Sequence, residues 1–132
     1  YSEGTVKMTG GTITATVATN VYNCGTMEMT GGTINAAVAT AIDNYGILNI
    51  LGTANIIGET ADDGKYYPVI YNYKTVNMTG GTITATVATG ISNKSGTVNI
   101  SGGRINYVNE PVLTYSGAST TISNNVSLVK QT

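Results

Sequence analysis

The segment MTGGTITATVAT occupies residues 8–19, and the same twelve letters return unchanged at residues 78–89. Between them, residues 29–40 read MTGGTINAAVAT, and a divergent copy, VNISGGRI, begins at Val98. Self-similarity at a fixed spacing is the signature of a repeat architecture, in which each repeat is one structural unit stacked on the next. The fold is therefore decided by the shape of a single repeat.

The repeat has a period of 21 or 22 residues. Gly4, Gly25 and Gly46 lie 21 residues apart, and the third repeat is longer because it carries an insertion at residues 58–68. We predict a single domain over residues 1–132, which we expect to be a fragment of a longer repeat protein. Its coils are predicted to start near residues 4, 25, 46, 74, 96 and 117.

Apolar and polar residues alternate within a repeat. Val6 and Met8 alternate with threonine and lysine, and after Gly10-Gly11 the apolar residues Ile13 and Ala15 alternate with threonine. Alternation of β-branched residues indicates short strands, and glycine pairs indicate bends. Stacked repeats place equivalent strands in parallel, about 4.8 Å apart.

The predicted fold class is therefore all-β. We expect a right-handed parallel β-helix (a β-solenoid) of about five to six coils, with 21–22 residues and three short strands in each coil. Coil length favours right-handed winding, because left-handed stacks typically show a hexapeptide period that is absent here.

The register predicts columns of equivalent residues through the stack. The first wall of the core is predicted to hold Val6/Met27/Leu48/Val76/Val98 and Met8/Met29/Ile50/Met78/Ile100. The second is predicted to hold Ile13/Ile34/Ile83/Ile105 and Val17/Val38/Val87, and the third Val21/Ile42/Ile70/Ile91/Leu113. A column of asparagines, Asn23, Asn44, Asn72 and Asn93, is predicted to end at Tyr115 and to hydrogen-bond along the stack.

Composition disfavours several function classes. Six Lys and Arg face seven Asp and Glu, so no basic face can be assembled to neutralise the phosphates of a nucleic acid. No apolar run approaches the roughly 20 residues of a membrane span. Cys24 is the single cysteine, which we expect to be an inert thiol facing outward at a bend. No cofactor is predicted.

The repeat resembles one found in large bacterial surface proteins. The stretch GTVKMTGGTI at residues 4–13 and the segments AIDN at 41–44 and VIYN at 69–72 carry the likeness, which covers nearly the whole chain. The resemblance is to adhesin-like or autotransporter-like right-handed β-helices, and it implies a secreted or cell-surface location. It transfers no catalytic residue, since the same helix carries adhesins, tailspikes and polysaccharide enzymes.

The insertion is the candidate recognition site, because loops that project from a solenoid often form its binding face. Acidic residues beside aromatic rings suit a glycan or a protein partner, and the acids alone would suit Ca²⁺, although a solvated loop is the simplest reading. We predict no resident metal. The candidate ligand-binding residues are Glu59, Asp62, Asp63, Tyr66, Tyr67, Tyr71 and Tyr73.

Two other functions are alternatives. A polysaccharide lyase or hydrolase would need an acid and a base, for which Asp62, Lys65 and Arg104 are the candidates; the chain has no His, so we predict that it is not an enzyme. An ice-binding solenoid would need an unbroken outward rank of threonines. The threonines in question are Thr12, Thr14, Thr16, Thr33, Thr82, Thr84 and Thr86.

The sequence therefore predicts a secreted or cell-surface structural and adhesive β-helix module. Its expected partners are a glycan or a host or cell-surface protein, bound through the insertion and the nearby tyrosines. End-to-end association into a fibre is a further alternative, because solenoid ends are open strand edges.

Overall fold

A computed structural model of the chain describes residues 1–19, 21–59, 61–62 and 65–131, without the side chains of residues 61 and 62. Every regular element in these ranges is a β-strand. In this part of the chain no helix is long and apolar enough to cross a membrane.

The strands form three parallel sheets that run along the stack. The first sheet holds β1 (Thr5–Met8), β4 (Thr26–Met29), β7 (Ile47–Ile50), β12 (Thr75–Met78), β15 (Thr97–Ile100) and β18 (Ser119–Ile122). The second holds β2 (Thr12–Ala15), β5 (Thr33–Ala36), β8 (Asn55–Gly58), β13 (Thr82–Ala85), β16 (Arg104–Tyr107) and β19 (Ser127–Lys130). The third holds β3 (Val21–Asn23), β6 (Ile42–Asn44), β11 (Ile70–Asn72), β14 (Ile91–Asn93) and β17 (Val112–Thr114).

Each of the first five coils contributes one strand to each sheet, and the last contributes β18 and β19 to the first two, so the chain is a β-solenoid of about five turns with three strands per coil. The predicted fold class is thus confirmed, while the winding sense stays a prediction. The first sheet has the predicted register: Val6 pairs with Met27, and Met8 with Met29. Lys7 lies directly opposite Glu28, as the alternation requires.

The bends between the first and second sheets depend on glycine. Gly32 and Gly81 adopt φ values of 80° and 79°, a left-handed conformation that residues with a Cβ rarely adopt. A Cβ on Gly32 would also lie 2.8 Å from the carbonyl oxygen of Gly10 on the coil below. Gly32, Gly81 and Gly103 are therefore required both by their backbone conformation and by the close approach of the preceding coil, and Gly11 by its backbone conformation.

From the second coil onward the core follows most of the predicted inward columns, with one residue added, whereas Val6 and Ile13 of the first coil are 41% and 38% exposed. Ile56 lies between Ile34 and Ile83 in the second wall and is fully buried. The prediction left this position empty because the bend between β7 and β8 is one residue longer than the bend between β4 and β5. One extra residue of the third repeat thus lies in that bend, before the predicted insertion.

The predicted column Val17/Val38/Val87 does not line the core. These valines follow the ends of β2, β5 and β13, where the alternation stops. Val17 is 84% exposed, and Val38 and Val87 are half-buried. The inward alternation therefore ends with Ala15 and its equivalents.

The asparagine column is confirmed as an internal amide ladder. Each Nδ2 donates to the Oδ1 of the next coil, at 2.8 Å from Asn23 to Asn44, 2.9 Å from Asn44 to Asn72, and 3.0 Å from Asn72 to Asn93. All four side chains are fully buried. The amides also donate to backbone carbonyls at the next corner, as Asn44 does to Thr75 at 2.7 Å. The ladder therefore binds each corner to the coil that follows it.

The predicted last members of two columns are wrong by one residue. Ile91 pairs with Val112, and Asn93 pairs with Thr114, where Leu113 and Tyr115 were expected. The extra residue of this coil lies in the corner after Thr114, since Asn93 pairs with Thr114 at a spacing of 21 but Thr97 pairs with Ser119 at a spacing of 22. The ladder consequently ends on hydroxyls, with Asn93 Nδ2 3.1 Å from Thr120 Oγ1.

Replacing Asn44 by alanine should destabilise the fold strongly. The change removes one of the two acceptors of the Asn23 amide and the shorter of the two bonds to the Asn72 carbonyl, both in a buried site. We expect a loss of about 3 kcal/mol in the free energy of unfolding, from the cost of unsatisfied buried polar groups. Denaturant unfolding monitored by circular dichroism measures it.

Asn77→Ala is the matched control. Asn77 belongs to an outer ladder, Asn49–Asn77–Asn99, which is partly solvated. It should cost about 1 kcal/mol or less, because water replaces the lost bonds. Equal losses for the two substitutions would contradict the role given to the internal ladder.

Candidate functional site

The insertion forms a short hairpin beside the third sheet. Its strands β9 (Ala61–Asp62) and β10 (Lys65–Tyr66) pair antiparallel. Glu59 is exposed just before the hairpin, and Tyr67 is half-buried just after it. Asp63 and the side chain of Asp62 lie outside the described residues, so the predicted acidic cluster stays a prediction.

Tyrosines from successive coils gather at one edge of the stack, which we call the tyrosine corner and define as Tyr22, Tyr45, Tyr71, Tyr73 and Tyr115. Tyr45 and Tyr73 directly follow ladder asparagines, and Tyr115 follows Thr114, which takes the next place in that column. The backbone amides of all three tyrosines donate to the asparagine carbonyl of the preceding coil. The corner is thus a consequence of the register that the ladder imposes.

The rings of the tyrosine corner stack along the solenoid. The centroids of Tyr45 and Tyr73 lie 4.5 Å apart, with planes 1° from parallel, and those of Tyr22 and Tyr45 lie 5.7 Å apart at 13°. Tyr71 lies tilted beside Tyr73, with centroids at 6.2 Å. Tyr45 thus stacks with both Tyr22 and Tyr73, in the coils before and after it.

Lys94 follows the ladder residue Asn93, at the position that Tyr73 occupies in the preceding coil. Lys94 Nζ lies 3.9 Å from the centroid of the Tyr115 ring and 5.6 Å from that of Tyr71. The contact is a cation–π interaction. A hydrogen bond from Lys94 and its positive charge lower the pKa of the Tyr115 hydroxyl.

A cleft of about 130 Å³ opens between the insertion and this end of the tyrosine corner. Tyr66 and Pro68 of the insertion form one side, and Tyr71 and Tyr115 form the other. Its remaining lining consists of Ala88, Thr89, Ser92, Asn109 and Leu113. Tyr66 is 62% exposed, so its ring is open to solvent at the mouth of the cleft.

The structure therefore brings together some of the predicted site residues. Tyr66 and Tyr71 line the cleft directly, and Tyr73 contacts Tyr71. Glu59 and Tyr67 are not among the lining residues. Sequence reasoning missed Tyr115 and Lys94 because it gave Tyr115 a place at the end of the asparagine column.

Asp43 is the buried acid of this region. It lies in the column between Tyr22 and Tyr71, is only 9% exposed, and has one carboxylate oxygen, Oδ1, without a hydrogen-bond partner among the described residues. Desolvation raises the pKa of the Asp43 carboxyl, and hydrogen bonds with Tyr22 and Thr19 partly oppose the shift. The same carboxylate is the main cause of a raised pKa at Tyr22.

Asp43→Asn should stabilise the protein at neutral pH relative to acid pH. Because the folded pKa of Asp43 is raised, the unfolded chain ionises first, so this carboxyl favours the folded state fully below about pH 4 and loses that contribution as pH rises through the folded pKa. Asparagine does not ionise. The stability of the variant minus that of the wild type should therefore increase from pH 3 to pH 7 in denaturant titrations.

Glu59→Gln removes the same negative charge from an exposed position and controls for net charge. A stability difference for Asp43→Asn that is constant between the two pH values would show that this carboxyl ionises alike in the folded and unfolded chains.

The threonine array is interrupted in the second sheet. Thr33 and Thr82 both pair with Asn55, and the next partner of Thr82 is Arg104. Thr84 pairs with Ile57 and Asn106, and its hydroxyl accepts a bond from Asn106 at 3.2 Å. Thr12, Thr14 and Thr16 are exposed in the first coil, whereas the Thr86 hydroxyl donates to the Gly58 carbonyl at 3.3 Å. Ile57 and Arg104 thus interrupt the continuous row of threonine side chains that ice binding needs.

The remaining candidate residues do not converge on the cleft. Arg104 Nε donates to Asn106 at 2.8 Å in the second sheet, away from the lining residues. Cys24 is exposed at the corner after Asn23, as predicted. Among the described residues no group of three His, Cys, Asp or Glu side chains could hold a metal ion. The calcium alternative depends on Asp62 and Asp63 and stays untested.

Comparison with known proteins yields no relative. No protein-family model matches the sequence, and neither a curated protein nor a solved structure matches it. The class of protein is therefore defined by the fold alone, as a parallel β-solenoid with an aromatic edge.

Proposed function

We propose that this chain is a secreted or cell-surface β-solenoid module, structural and adhesive, that binds a glycan at the cleft beside the tyrosine corner. The observation that carries the proposal is the cleft itself. The insertion, which interrupts an otherwise regular repeat, places Tyr66 and Pro68 in the lining of the same cavity as Tyr71 and Tyr115, which come later in the chain. A loop that served only to connect two strands would not need to form one side of a cleft.

The lining combines an aromatic ring with hydrogen-bonding side chains, the two kinds of group that bind sugars. An open aromatic face at Tyr66 can pack on the apolar face of a sugar ring, and the Thr89, Ser92 and Asn109 side chains are of the kind that exchange hydrogen bonds with sugar hydroxyls. Sites for drug-sized ligands measure roughly 300–1,000 Å³, and this cleft measures about 130 Å³. It therefore suits one sugar unit of a chain.

A small site implies weak affinity for each module. We expect a dissociation constant on the order of 1 mM, near −4 kcal/mol, for a single sugar unit. An adhesive protein gains strength by presenting several such sites together, since linked sites act at a high effective concentration. The resemblance to bacterial surface repeats supports such an arrangement and the extracellular location.

The lining also supports a non-catalytic role. Glycoside hydrolysis needs two carboxyl groups about 5–9.5 Å apart across the bond. The described lining residues contribute hydroxyls, one amide and apolar surface, and no carboxyl group. This donor set suits binding better than bond cleavage.

Screening the folded protein on a multivalent glycan array tests the proposal. We expect binding to a subset of glycans that falls at least tenfold in Tyr66→Ala and in Tyr115→Ala. Tyr1→Ala is the matched control, because Tyr1 is 82% exposed and does not line the cleft, and it should bind like the wild type. Absence of glycan binding by the wild type, or binding that both cleft substitutions leave intact, would contradict the proposal.

A further inference from the structure

Tyr45 and Tyr73 make the tightest ring contact of the tyrosine corner. Their centroids are 4.5 Å apart and their planes are parallel within 1°. The two residues belong to neighbouring coils, which the bond from Asn44 to Asn72 holds in register. Tyr45 is 42% exposed, so the pair is open to reagents in solution.

From this geometry we infer that Tyr45 and Tyr73 form a site of oxidative modification, at which a peroxidase-type oxidant joins the two phenols through a carbon–carbon bond. The product is a dityrosine cross-link between two coils of one chain. This inference is independent of glycan binding, since neither ring lines the cleft.

The chemistry balances with hydrogen peroxide as the terminal oxidant. A haem peroxidase removes one electron and the hydroxyl proton from each phenol, which leaves two phenoxyl radicals. The radicals couple at their ortho carbons, and each of those carbons then loses its hydrogen as a proton, which returns to a ring oxygen. The chain loses two hydrogen atoms, and one peroxide molecule becomes two water molecules.

Proximity selects this pair over the other tyrosines. Two radicals held in contact react intramolecularly at a high effective concentration, whereas exposed tyrosines must meet between molecules. Tyr1 and Tyr66 are more exposed than Tyr45, but no ring stacks on them among the described contacts. Tyr115 has Lys94 on its ring instead of a second phenol.

The cross-link would join Tyr45 covalently to Tyr73 and so close the loop of chain that contains the insertion. Covalent closure of a loop reduces the conformational entropy of the unfolded chain and so stabilises the folded one, as a disulfide does. A surface protein without a disulfide would gain a covalent tie under oxidising conditions. We therefore expect the cross-linked protein to melt at a higher temperature than the untreated protein.

Treating dilute folded protein with a haem peroxidase and hydrogen peroxide, followed by peptide mapping by mass spectrometry, tests the inference. The expected product is monomeric, lacks two hydrogen atoms, shows dityrosine fluorescence, and contains a linked peptide pair at Tyr45 and Tyr73. Tyr73→Phe should reduce the yield at least tenfold while keeping a ring in the stack. Tyr115→Phe should leave the yield unchanged.

Circular dichroism of Tyr73→Phe confirms that its strands are intact before treatment. An equal yield in Tyr73→Phe, a main product that joins Tyr22 to Tyr45, links confined to Tyr1 and Tyr66, or no link at all would each overturn the inference.

Discussion

The amide ladder inside the solenoid is the constraint on which the rest of the structure depends. A backbone ladder alone would tolerate a slip of one coil against the next, but a slip would break the bonds from Asn23 to Asn44 and from Asn44 to Asn72, whose side chains are fully buried. The ladder also ties each corner to the next coil through Thr75 and Thr97 carbonyls. The register is thereby fixed, and the outward residues inherit it.

The tyrosine corner is the main consequence of that register. Residues that follow a ladder asparagine are carried to the same edge of the stack, which is why Tyr45 and Tyr73 meet face to face although a whole coil with its insertion separates them. Asp43 becomes buried for the same reason, because tyrosines of the coils on either side flank it. Packing and electrostatics at this edge both follow from a polar contact in the interior.

The sequence predicts the fold well because each repeat states the same pattern. The errors lie where one residue enters a bend. The extra residue near Thr53 hid Ile56 from the second wall, and the extra residue after Thr114 displaced Leu113 and Tyr115 from their predicted columns. A period counted from glycines cannot say on which side of a strand an extra residue falls. The cleft was harder still, since the placement of Tyr66 and Tyr115 around one cavity depends on how a unique insertion folds back.

The exchange rates of the asparagine side-chain amides, measured by NMR with their through-space contacts, test the account most directly. If the ladder is buried, the Nδ2 protons of Asn44 and Asn72 should exchange slowly, and each should show contacts to the next ladder amide. The side-chain amide of the exposed Asn124 should exchange fast. Fast exchange at Asn44 and Asn72, equal to that of Asn124, would contradict a buried ladder and the register built on it.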